Sequence, residues 1–157
     1  ALPILALSQE FPEAAESDFK VQVREEYFID FDEFCRIKDN ENVLVLDNRP
    51  PGIYKGKGPW ARQGHIPGAV NLPWQDLMTS SNPRKLKEDD KINQIVEKVG
   101  AAPDKTIVCS CGTGREATAT FLLFKWYLGY PHVKIYEGSF TDWVHRDQPT
   151  VRGAEPR

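Results

Sequence analysis

The stretch Thr106-Ile107-Val108-Cys109-Ser110-Cys111-Gly112-Thr113-Gly114-Arg115-Glu116-Ala117 holds the residues best suited to chemistry. A short apolar strand runs into two thiols, a glycine-bearing loop follows, and a helix starts at once. Unpartnered backbone N–H groups of a tight loop and a helix start form a cradle for an anion. A thiol beside such a cradle, with a guanidinium close by, is stabilised as thiolate, the form that acts as nucleophile. Arg115 supplies the guanidinium. Glu116 supplies an opposing carboxylate, at a position where an acid also suits the first turn of a helix as a cap.

The register decides which thiol reacts. Counted from Cys109 the run reads C-x-x-G-x-x-R, and counted from Cys111 it reads C-G-T-G-R-E. A buried parallel strand is a continuous apolar run, so Ile107, Val108 and Cys109 are expected in the core and Ser110 at the exit. A cysteine without a chemical task is among the most buried of residues. Cys109 is therefore expected to be a core hydrophobe, and Cys111, followed by Gly112, Thr113 and Gly114, the reactive thiol. The pair is expected to point its thiols to opposite faces of the strand. Cys35 falls in an amphipathic helical pattern and is expected to pack against the sheet.

With 157 residues the chain has the size of one domain with a proper core. A hydrophobic share of 40%, a charged share of 27% and a net charge of −3 suit a globular protein with no attraction to nucleic acid or anionic membrane. The basic stretch Arg84-Lys85-Leu86-Lys87 meets Glu88-Asp89-Asp90 at once and reads as a solvated loop. Three cysteines are too few for a disulfide framework, and no Cys/His spacing suggests a metal site. No run is long enough to span a bilayer. The apolar stretch at residues 1–7 lacks a charged flank and is not read as a signal peptide; cytoplasm, or periplasm if the N-terminus is a processed site, both stay open.

Around the loop, strands and helices alternate. Tyr27-Phe28-Ile29 reads as a strand, Asp30 or Asp32 caps a helix over 32–38, and residues 43–46 are a buried strand ending at Asp47. The Gly/Pro-rich segment from Pro50 to Pro59 is long enough to be functional. Pro67-Gly68 turns into a short strand, Ile92, Ile95, Val96 and Val99 recur at helical spacing, and Thr106–Ser110 is the strand beneath the loop. A helix over 116–128 is expected to make apolar contacts through Phe121, Leu122, Phe124 and Leu128. Val133–Tyr136 is the last strand, and residues 138–146 form the last helix. This order predicts an α/β fold with a mostly parallel central sheet covered by helices on both faces. Ligands in such sheets sit at the carboxyl ends of the strands, where Asp47 and Cys111 both lie.

Four motifs in order resemble those of rhodanese sulfurtransferases: Asp47-Asn48-Arg49, Gly64-His65-Ile66-Pro67-Gly68-Ala69, the loop from Cys111, and Val133 to Trp143, with Asp142 where Glu is usual. The loop is most similar to the C-G-[ST]-G opening of the mercaptopyruvate-type branch. Counted from Cys109, it resembles instead the phosphatase or arsenate-reductase loop closed by Arg115, with Val108 in place of its His and Glu116 in place of its Ser or Thr. The rhodanese resemblance implies a three-layer sandwich over residues 27–146, flanked by an N-terminal arm at 1–26 and a C-terminal tail at 147–157.

It also implies sulfur transfer from thiosulfate, 3-mercaptopyruvate or a persulfide to cyanide or a thiol through a Cys111 persulfide. No cofactor and no metal is implied. The partners are a small-molecule donor and a thiol acceptor, a protein thiol among the candidates, with no nucleic acid and no membrane insertion. A carrier or binding module of the same fold is the non-catalytic alternative.

From Asp47 to Arg62 the chain aligns without gaps with a pattern in which two arginines hold the donor carboxylate. Arg62 matches the second, while Ile53 replaces the first, with Lys55 or Lys57 to compensate. Trp60, in the Gly/Pro segment, is placed near the pocket; Trp74 and Trp143 are expected to be mostly buried. Asp47 and Arg49 fit either a supporting ion pair or the site itself, and His65, at a Pro-Gly turn, fits a hydrogen-bonded support better than a catalyst.

Overall fold

The structure is a computed structural model that describes residues 16–82 and 85–156. The apolar stretch at 1–7 and Arg84 of the basic stretch lie outside the described residues. Its five strands are β1 (Phe28–Ile29), β2 (Val43–Asp47), β3 (Val70–Asn71), β4 (Thr106–Ser110) and β5 (Val133–Tyr136). They form one sheet in the order β1-β5-β4-β2-β3, with every neighbouring pair parallel. The helices are α1 (Phe31–Ile37), α2 (Pro51–Tyr54), α3 (Asp89–Lys98), α4 (Ala117–Leu122) and α5 (Ser139–His145).

Alternation along the central strands separates two cores. Leu44 and Leu46 of β2 join Ile107 and Cys109 of β4 on one face, with Ile92 and Val96 of α3 and Phe121 and Phe124 after them. Val45 and Val108 point the other way, against Phe34 of α1 and Phe140 and Trp143 of α5. Each fully buried Leu, Ile or Phe contributes roughly 1.5–3 kcal/mol of transfer free energy, so the sheet is held from both sides. Asp30 caps α1, its carboxylate accepting the Glu33 N–H at 2.8 Å.

Three expectations need correction. Residues two apart on a strand share a face, and Cys109 and Cys111 accordingly lie in the same apolar cluster rather than on opposite sides. In α4 the buried stripe is Ala117, Thr120 and Phe121, continued by Phe124; Leu122, about 200° around the axis from Thr120, is 52% exposed while Leu123 is buried. The helix then widens into a π-turn over Leu123–Tyr127, where the Leu128 N–H donates to Leu123 O at 2.8 Å. The segment from Pro50 to Pro59 contains α2, whose Tyr54 is buried and donates its hydroxyl to Ala69 O at 2.7 Å.

The sheet order puts β3 on one side of β2 and β4 on the other. The connections leaving β2 and β4 therefore part at their carboxyl ends and open a crevice there. Asp47 and Ser110 pair in register at that edge, which sets Cys111 one residue beyond the sheet.

Candidate functional site

Residues 111–116 connect β4 to α4, and the β5–α5 turn holds them from behind. The Cys111 N–H donates to Ser139 Oγ at 3.1 Å, and the Ser139 hydroxyl donates to Tyr136 O at 2.9 Å. Cys111 O accepts the Phe140 N–H, and Gly112 O accepts both the Thr141 N–H, each at 3.0 Å, and the Thr141 hydroxyl at 2.7 Å. Ser139 adopts φ 52°, the left-handed region, and so turns its hydroxyl under the loop. Gly114 has φ +83°, and a Cβ there would stand 2.8 Å from Glu137 O; the loop closes this tightly on the turn only with glycine.

With the carbonyls held from behind, the amides are free. Among the described residues no acceptor takes the backbone N–H of Gly112, Thr113, Gly114, Arg115 or Glu116. Five successive free donors after the thiol are the physical basis of an anion cradle. Cys111 itself is 1% exposed, at the edge of the apolar cluster of α3 and α4. Thr113 and Arg115 are exposed and Glu116 is half-buried. Glu116 makes no side-chain cap to α4, contrary to the expectation from its position.

Cys109 lies inside β4, fully buried, and burial first, then the neighbouring Cys111, pushes its thiol far above the ordinary range. A nucleophile there would be both unreachable and protonated. The seven-residue register ending at Arg115 lacks the thiolate it needs.

Trp60 covers the loop. A Cβ at Gly112 would stand 3.2 Å from its six-membered ring, and its indole N–H donates to Thr141 Oγ1 at 2.9 Å. The ring meets Phe140 edge-on at 5.2 Å. Beneath them the Arg49 guanidinium lies 3.9 Å from the Phe140 ring centre and 5.3 Å from that of Trp60.

Asp47 and Arg49 form a buried ion pair. Arg49 Nε donates to both carboxylate oxygens at 2.9 and 3.0 Å, and Nη2 donates to Asp47 Oδ2 at 2.5 Å and to Gly64 O at 2.9 Å. Such a pair ties the end of β2 to the segment entering β3. Breaking one partner alone costs about 3–5 kcal/mol, because a buried charge is left uncompensated. His65 is also buried: its Nδ1 faces Tyr54 O at 3.1 Å, its Nε2 faces Glu155 O at 3.0 Å, and its ring stacks on Tyr54 at 3.7 Å. The structure thus gives His65 a tethering position between α2 and the tail.

The other expected ligands are spread out. Arg62 pairs with Asp147 and donates to Gln148 O at 3.3 Å, so its guanidinium is engaged by the tail. Lys55 is exposed, and its carbonyl accepts the Gly153 N–H at 3.1 Å. Ser139, Phe140 and Thr141, which hold the loop, are not reactive groups and carry no chemical signature of their own. Their signal was present in the motif from Val133 to Trp143, but a serine and a threonine in a turn announce themselves only when a second segment is brought against them. Among the described residues no group of three or more His, Cys, Asp or Glu side chains is gathered as a metal would need, and no helix is long and apolar enough to cross a membrane.

Known proteins are similar to this chain in sequence and in shape. The chain is 36% identical to thiosulfate sulfurtransferase of Azotobacter vinelandii over 91% of its own length and 52% of that protein. It is 31% identical to 3-mercaptopyruvate sulfurtransferase of Escherichia coli over 90% of its length and 50% of that protein. The chain thus spans about half the length of the curated relatives it matches. In shape it is similar to a variant of EanB solved as a cysteine persulfide with ergothioneine, at a TM-score of 0.80 and 21% identity, over 93% of this chain and 37% of that one. The model of the rhodanese-like domain matches residues 30–146, and the chain belongs to that family.

Proposed function

We propose that this chain is a sulfurtransferase in which Cys111 is the nucleophile. The observation that carries the reading is the row of free N–H groups from Gly112 to Glu116, which follows the thiol at the crevice end of β4. Sulfurtransferase relatives that act, by name, on thiosulfate and 3-mercaptopyruvate support it.

In the proposed reaction the Cys111 thiolate attacks the outer sulfur of the donor. A new S–S bond forms, the donor's bond to that sulfur breaks, and its electron pair leaves on sulfite or, from 3-mercaptopyruvate, on the pyruvate enolate. The loop amides donate hydrogen bonds to the anionic persulfide, as an oxyanion hole does. Arg115 is exposed and unpaired among the described residues, and Arg62 offers its guanidinium to an anionic donor only by giving up Asp147. Lys55 adds diffuse positive charge from solvent, and Trp60 roofs the loop. Asp47, Arg49 and His65 support the site without touching the donor. We assign residues 27–146 as the domain, with 1–26 an arm and 147–157 a tail.

Intact mass after thiosulfate or 3-mercaptopyruvate tests this. One added sulfur, lost in Cys111→Ser and kept in Cys109→Ser, is the expected result. Sulfur retained by Cys111→Ser would overturn the assignment of the nucleophile.

A further inference from the structure

Beside the Cys111 loop, Trp74, Arg115, Glu116 and Ala119 line a cleft of about 260 Å³. Arg115 and Glu116 carry opposite charges at adjacent positions, yet among the described residues neither has a hydrogen bond or ion pair for its side chain, with the other or with any third group. The two charges therefore face the same space separately. An indole forms another wall, and an alanine one turn along α4 leaves room. A cleft that took only an anion, such as a sulfur donor, would be ill served by Glu116, because the carboxylate repels it. One that took only a cation would be ill served by Arg115.

A group carrying both charges answers both. We propose that this cleft is the acceptor subsite of the sulfurtransferase, and that it takes the zwitterionic α-amino-acid end of a small thiol. Arg115 meets the carboxylate, for which its planar fork is suited. Glu116 meets the ammonium group, with the Trp74 face as a second, cation–π contact. The volume suits an amino acid. The inference rests on the Cys111 assignment: the bound thiol, as thiolate after losing its proton to solvent, attacks the outer sulfur of the Cys111 persulfide. An S–S bond forms on the acceptor, the bond to Cys111 Sγ breaks, and its electron pair restores the Cys111 thiolate. No further oxidant or reductant is needed.

The test uses four acceptors on protein preloaded from thiosulfate: L-cysteine, cysteamine without the carboxylate, 3-mercaptopropionate without the ammonium group, and 2-mercaptoethanol without either. Ratios between variant and parent cancel the intrinsic reactivity of each thiol. Glu116→Gln is expected to lower kcat/KM for L-cysteine about tenfold relative to 3-mercaptopropionate, and Arg115→Gln to lower it about tenfold relative to cysteamine; each factor corresponds to about 1.4 kcal/mol. Equal effects on all four acceptors in both variants would overturn the subsite. Binding to the unloaded protein tests it without turnover: unreactive S-methyl-L-cysteine should shift the Trp74 indole N–H resonance, and 3-(methylthio)propionate should not. A resonance that stays still with both would overturn the subsite. Loading of Cys111, read separately by mass, tells whether the sulfurtransferase reading itself has failed.

Discussion

Ser139→Ala is the sharpest probe of how the loop is held. The hydroxyl is fully buried and makes two hydrogen bonds, accepting the Cys111 N–H at 3.1 Å and donating to Tyr136 O at 2.9 Å. Alanine removes both and leaves a buried donor and a buried acceptor without partners, at about 1–3 kcal/mol for each. The left-handed backbone at this position is common to both residues, so its strain does not enter the difference. A loss of about 2 kcal/mol or more follows, which for a domain of this size lowers Tm by about 4–8 °C. Function should fall further, since a nucleophile displaced by an ångström loses about 100-fold in rate. Urea unfolding and the rate of sulfur loading, measured on one preparation, check the two parts together. A variant within about 0.5 kcal/mol of the parent and loading at the parental rate would refute the idea that the β5–α5 turn positions Cys111.

Removing residues 150–157 should lower Tm by several degrees, because the tail supplies Val151 to the antiparallel bridge with His65, Glu155 O to the His65 ring and Pro156 O to the Gly68 N–H; an unchanged Tm would show the tail to be an appendage. Gly114→Ala should slow sulfur loading more than it affects folding elsewhere, since its Cβ would press on Glu137 O at 2.8 Å; a parental loading rate would show that the loop tolerates a shift there. Burial raises the Asp142 carboxyl, but hydrogen bonds from Tyr136 and Arg146 outweigh it and hold the group below its ordinary value. A depressed carboxyl contributes stability above the unfolded value of about 3.9 and loses it as pH falls through the folded one. Asp142→Asn should therefore narrow the stability gap between pH 7 and about pH 3, and an unchanged gap in urea midpoints would count against this linkage.

The parts of the fold visible in the sequence were those written in local patterns. Residues 43–46 and 107–109 are unbroken apolar runs, and they form the bodies of the central strands Val43–Asp47 and Thr106–Ser110. Asp30 precedes a helical pattern and caps it. The arrangement of the reactive loop was also local, because thiol, glycines and helix follow one another directly along the chain. What stayed hidden depends on segments far apart. Arg62 aligned with a substrate arginine, but only folding brings it beside Asp147. The role of Ser139 is invisible until β5 lies next to β4. The expected opposite facing of Cys109 and Cys111 conflicts with the two-residue period of a strand, which puts both on one face. Leu122 followed an apolar list rather than the helical stripe, and the stripe prevails.

The most direct test of the account is the site of the sulfur. Parent, Cys109→Ser and Cys111→Ser proteins are incubated with thiosulfate, and intact mass followed by peptide mapping locates any gain of one sulfur atom. The account predicts the gain on Cys111 in the parent and in Cys109→Ser, and none in Cys111→Ser. Sulfur on Cys109, or a gain that persists without Cys111, would contradict it.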